Sequence, residues 1–251
     1  MTRWIVAALV VSSLGGRLDA QTLRIAGWGS YQGVTRSADW STVGAQLTLA
    51  TGRGHSTWLA AEMQGRFGET DIAERIGGVF HPAPGWWITA EAGTTAQPTF
   101  TPKNTWEADV TALVAARASL GVGYRRWNYV VGPVDVVMPH VSLQTRATSW
   151  DFRLFVSRNP SDRTDAAFFL RATATLSNRA AAWVLGGAGR ESYVVGAGPA
   201  ASVRALDTVT GAAGLRYNAR SGVTLRIDAS AIGSRPVLSR RGIGIGLEKQ
   251  F

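Results

Sequence analysis

The chain has 251 residues, no cysteine and a formal net charge of +9. Hydrophobic residues make up 45%, yet the mean hydropathy is +0.02 and no apolar run reaches the roughly 20 residues of a membrane helix, which excludes a helical membrane protein. Lysine and arginine stand singly rather than in runs, which argues against nucleic acid as a partner; a positive lumen, or loops facing anionic lipopolysaccharide, accounts for the charge equally well.

Residues 1–20 have the build of a secretory signal. Arg3 supplies the charged start, Trp4-Ile5-Val6-Ala7-Ala8-Leu9-Val10-Val11 the apolar centre, and Ser12, Ser13, Gly15 and Gly16 the small residues that follow. Cleavage is expected after Ala20 or, since Leu18 is large, near Gly15. Residues 21–251 then form one domain.

Beyond the leader the period of the apolar residues is two, which predicts strands. Leu23, Ile25 and Gly27 alternate with Arg24, Ala26 and Trp28, and Val43, Ala45, Leu47 and Leu49 with Thr42, Gly44, Gln46 and Thr48. Leu59, Ala61 and Met63 oppose Glu62, Gln64 and Arg66. The facing of 71–80 is ambiguous, because Glu74 and Arg75 fall on opposite sides. Further strands are expected over 86–94, 106–115, 118–128, 134–144, 150–157, 165–176, 180–191, 206–217 and 223–232. Of these, 106–115 also reads as ending in a short helix, and Pro139 marks a bulge within 134–144. The closing segment sets Ile243, Ile245, Leu247 and Phe251 against Gly242, Gly244, Gly246, Glu248 and Gln250.

The sum is 14 strands, or 12 if the weak segments fail. A β-sandwich or a lipocalin-like shell would share the period, but its polar faces carry many charges. Here those faces are glycine, threonine, serine and alanine with isolated charges, as a narrow lumen requires. The reading is all-β: an antiparallel up-and-down barrel in the bacterial outer membrane. The longer linkers, near 35, 100, 131, 161, 197 and 235, follow odd strands and would lie outside. The 29 glycines let lumen side chains crowd, and the ten tryptophans suit the membrane interface.

The lumen face is expected to carry Arg24, Glu62, Arg66, Glu91, Arg125, His140, Asp151, Arg153, Arg171, Arg216, Arg226, Asp228 and Glu248. These charges either pair across the barrel and plug it, or bind and pass anionic or saccharide solutes. His140 and Ser142 share a face, and Asp135 or Asp151 could orient the imidazole, but residues two apart on a strand lie about 7 Å from each other, too far for a direct bond. No enzyme, cofactor or metal is therefore called for. His55 and His81 fall in turns and read as solvated. Phe251 is the expected signal to the barrel assembly machinery, with outer-membrane lipid and lipopolysaccharide as surroundings.

The run Leu120-Gly121-Val122-Gly123-Tyr124-Arg125-Arg126-Trp127-Asn128-Tyr129, with Val134-Asp135 and Pro139-His140-Val141-Ser142, resembles the YaiO-type family of outer-membrane barrels. The resemblance is best over residues 100–200. It implies a barrel and, through the setting of some members, saccharide export, with no established reaction or ligand. Two departures stand out: Lys249 replaces the usual aromatic of the terminal signal, and no tetratricopeptide repeats precede the barrel. Two readings of different class follow, a narrow channel and a closed structural or adhesion barrel acting through its loops.

Overall fold

The computed structural model describes residues 22–35, 37–51, 54–160, 163–195, 202–235 and 238–251. The leader reading lies outside the described residues. Fourteen strands follow one another: β1 Thr22–Val34, β2 Trp40–Ala50, β3 Ser56–Arg66, β4 Glu69–Phe80, β5 Trp86–Ala96, β6 Asn104–Ala115, β7 Ala118–Tyr129, β8 Gly132–Gln144, β9 Thr148–Arg158, β10 Thr164–Thr175, β11 Ala180–Val195, β12 Ser202–Asn218, β13 Val223–Arg235 and β14 Leu238–Gln250. Each pairs antiparallel with the next, and β14 closes on β1 through pairs such as Arg24 with Gln250 and Gly29 with Ile245. Followed from partner to partner around the ring, the register returns to β1 displaced by 14 residues. Such a stagger is what tilts barrel strands by about 35–45° and fixes the width.

The outer face explains the composition. Ile243 is 69% exposed and Ile245 58%, and Val43, Leu47, Met63, Leu120, Val122 and Ile227 stand out in the same way. A continuous aliphatic surface around a closed barrel has no place in water and fits lipid. Phe80, Trp86, Trp150, Tyr217 and Phe251 ring this surface near the termini, and Tyr31 and Trp106 stand towards the opposite end. Both termini lie at one end of the even-stranded barrel, the inner end, and the opposite end is the outer one.

Several expectations are corrected. Asn104–Ala115 is strand throughout; the register shift lies between Leu113 and Ala115. Pro139 makes no bulge: β8 keeps its register with β9 on both sides of a short gap, from Val137–Val156 to His140–Arg153. A proline lacks the N–H for that ladder, so only the bonds there are lost. In β4, Arg75 faces the lumen, and Glu74 lies on the outer parity with Ile72 and Ile76. The linker near 131 is two residues, and β11 and β12 reach Val195 and Ser202, into the stretch expected as a loop over 192–202. Strands continue beyond the lipid band, where both faces are wet and alternation fades. The described outer linkers therefore range from two residues, at 67–68 and 130–131, to seven, at 97–103. His55 and His81 pack together: the His81 N–H donates to His55 Nδ1 at 3.1 Å, and their rings lie 5.9 Å apart.

At the outer end, Asp39 anchors the 35–39 linker by accepting from the Tyr31 hydroxyl and from the Val34 N–H at 3.1 Å. These donors hold its carboxyl below the ordinary carboxylate range.

Candidate functional site

The lumen begins with the way aromatic rings are stored. Trp28 pairs directly with Gly44, Trp58 with Gly77, Trp183 with Gly214 and Phe169 with Gly187. In each pair the ring lies across the bare glycine, where a Cβ would meet it at 2.3–2.6 Å. Six tryptophans (28, 40, 58, 87, 127 and 183) face inward and three (86, 106 and 150) face outward among the described residues. The interfacial role expected of tryptophan is thus the lesser one.

The indoles also fix charge. Trp28 donates to Glu62 at 3.3 Å and Trp58 to Glu91 at 3.1 Å. Arg75 bridges the same two carboxylates, at 3.4 Å from Glu62 and 3.6 Å from Glu91. Gln64 donates to the second oxygen of Glu62. Arg125 Nε donates to Glu107 at 2.6 Å, and its guanidinium sits 5.2 Å from the Trp127 ring. The acidic wall of β3, β5 and β6 is therefore tied up by neighbours.

A cavity of about 890 Å³ opens between this wall and β7–β11, towards the outer end. It is lined by Glu62, Arg66, Glu91, Arg125, Asp151, Arg153 and Arg171 from the sequence-derived set, and by Arg75, Glu107, Arg190 and Arg240, which sequence reasoning missed. Arg24, His140, Arg216, Arg226, Asp228 and Glu248 fall on the inward parity of their strands but do not line it. Arg75 and Glu107 were hidden by an ambiguous strand and a doubtful one; opposite them in register stand Ala60 and Glu91, residues far away in sequence. Among the described residues, Arg66, Arg153 and Arg171 make no hydrogen bond or ion pair. Arg171 rests 4.7 Å over Trp183, and Arg66 rests 4.4 Å over Trp40.

His140 and Ser142 do not meet. Ser142 donates to Asp151 at 2.5 Å, and Asp135 stands outside against Arg126 at 3.5 Å. His140 instead has Thr111 Oγ1 at 3.1 Å from Nε2 and Asp109 at 3.4 Å from Nδ1. Thr111 gives its hydroxyl proton to Asp109 at 2.8 Å, which leaves none for the imidazole to take. The ring lies buried over Gly121, so the trio braces the wall.

A last element shapes the outer mouth. The segment 97–103 turns inward and is gathered around buried Asp71. One carboxylate oxygen accepts from Thr99 N at 3.0 Å and Thr99 Oγ1 at 2.7 Å. The other accepts from Phe100 N at 3.0 Å, Thr101 N at 2.8 Å and Thr101 Oγ1 at 2.7 Å. This places Phe100, 3% exposed, against Phe67 and Arg66.

Neither a protein-family model nor a curated protein matches the chain. Solved structures do. The CymD monoaromatic hydrocarbon channel aligns with a TM-score of 0.63 at 8% identity, over 93% of this chain and 89% of that one. Omp33, an outer-membrane protein of Acinetobacter baumannii, aligns at 0.56 and 13% identity, over 92% and 99%. A loop-deletion mutant of OmpT, an outer-membrane protein of Vibrio cholerae, aligns at 0.51 and 10%, over 93% and 100%. At such identities the likeness is one of fold, and it agrees with the lipid-suited outer surface. The chain is a bacterial outer-membrane β-barrel of 14 antiparallel strands.

Proposed function

We propose that the barrel is a narrow channel for small anionic solutes. The observation that carries this reading is the asymmetry of pairing in the cavity. Glu62, Glu91 and Glu107 are each held by arginine, two of them also by indole N–H, while Arg66, Arg153 and Arg171 keep their N–H groups for whatever enters. Seven arginines line the cavity against five carboxylates, Glu62, Glu74, Glu91, Glu107 and Asp151. In a confined, low-dielectric passage such an excess attracts anions and repels cations.

In planar bilayers under a salt gradient, the reversal potential is expected to report anion preference. The double substitution Arg153→Glu, Arg171→Glu should move it towards cation preference. An absence of current steps at any voltage would remove the channel reading and leave a closed structural barrel. The YaiO-type resemblance lends saccharides as a lesser cargo; block by a neutral sugar, unchanged by the double substitution, is the result that would favour them.

Assembly is a separate proposal. Phe251 N donates to Leu23 O at 2.9 Å, so the terminal residue is part of the closing seam. Its ring is exposed on the outer face beside Lys249, whose ammonium lies 5.5 Å from it. Deleting Phe251 should lower the membrane fraction of heat-modifiable protein severalfold. An unchanged yield would show that the assembly machinery reads another feature.

A further inference from the structure

We infer that the outer end of the cavity is a binding site for an aromatic carboxylate, a planar ring carrying one anionic group. The inference rests on the anion reading above and names the chemistry at one place within it. Its centre is Arg66. The guanidinium stands 4.4 Å from the Trp40 ring and 5.5 Å from the Phe100 ring, so aromatic surfaces cover its flat sides. Arg240 stacks on the same indole at 4.5 Å. Trp40 and Phe100 are 5% and 3% exposed, which holds the stack rigidly.

A guanidinium covered on its faces can still be recognised by its edge, where five N–H groups lie in one plane. Among the described residues no oxygen accepts from that edge of Arg66. Asp71, the buried acid of the same mouth, has its oxygens filled by the N–H and hydroxyl groups of Thr99, Phe100 and Thr101. A carboxylate fits the empty edge in bidentate fashion.

The aromatic rings around the rest of the cavity say what the anion carries. Trp127 and Tyr129 meet edge to face at 6.4 Å, and Phe155 meets Phe169 at 5.2 Å. These rings line the same space as Arg66, together with Val134 and Val136. An inorganic anion gains nothing from such a wall, and a neutral sugar brings no charge to match the Arg66 edge. A flat ring stacks on it. The volume, about 890 Å³, lies within the roughly 300–1,000 Å³ of small-molecule sites.

The test uses the full protein, with benzoate as probe. Benzoate should block the open channel, and quench tryptophan fluorescence in detergent, at concentrations at least tenfold below those of acetate, phosphate or cyclohexanecarboxylate. Arg66→Gln should cost benzoate at least tenfold while the reversal potential stays anionic, since Arg153 and Arg171 remain. Phe155→Ala should weaken benzoate and leave acetate unchanged; heat-modifiable mobility reports that both variants fold. Quenching by benzoate without any current would overturn the channel reading and keep the site. Equal potency of phosphate or cyclohexanecarboxylate, or indifference to Arg66→Gln in a folded variant, would overturn the site.

Discussion

Replacing Asp71 with alanine is expected to free the 97–103 segment and to lower the unfolding free energy by about 3–5 kcal/mol, the range for removing one partner from a buried charged network. The carboxylate is 1% exposed and accepts from three backbone N–H groups and two hydroxyls. Without it those donors stay buried with no acceptor, at about 1–3 kcal/mol each before the segment relaxes towards water. Relaxation caps the sum and creates the second effect. Phe100 loses its place over Arg66, and the mouth becomes mobile. The measurement is the urea midpoint of the heat-modifiable form, read beside single-channel records. A lower midpoint and added current noise are the expected pair. Asp71→Asn keeps one acceptor oxygen and should lose less. An unchanged midpoint with quiet records would mean that the backbone bonds of Lys103, to Asn128 O at 2.7 Å and from Thr95 N at 3.0 Å, hold the segment alone.

Nothing near Asp71 in the sequence announces this role, since its partners lie 28–30 residues away. The barrel itself was readable because lipid imposes one rule on every strand: Ile243, Ile245 and Leu247 must face out, and the glycines between them in. Where the rule is silent, reading stops. In β4, Ala73 and Val79 are apolar on the inward parity, so Ile72 and Ile76 could not decide which side Arg75 takes. The cavity is harder still, because it depends on register. That Trp28 faces Gly44 follows from the pairing of β1 with β2, and a shift of two residues would keep every parity while separating the two. The sequence shows which residues can face the lumen; the stagger of the strands decides which of them meet.

That dependence gives the second large effect. Gly77→Val should lower both stability, by about 2–4 kcal/mol from overpacking and a lost hydrogen bond, and single-channel conductance. A Cβ at Gly77 would stand 2.4 Å from Trp58 Cζ2 and 2.8 Å from the carbonyl oxygen of Ala90. The carbonyl belongs to the β5 backbone and cannot retreat, so the indole must. Leaving the wall, it gives up its 3.1 Å bond to Glu91 and enters the passage. Glu91 is then left to share Arg75 with Glu62. Two controls separate this from a general intolerance of strand glycines. Gly186 and Gly211 pair with each other and have nothing within 4 Å of a built Cβ, so alanine at either should change stability by less than about 0.5 kcal/mol. Adding Trp58→Ala to Gly77→Val should restore conductance without restoring stability, because the obstruction goes while Glu91 still lacks its indole donor. If Gly77→Val alone left midpoint and conductance as they are, the indole would not be held flat by the glycine, and the width of the lumen would have another cause.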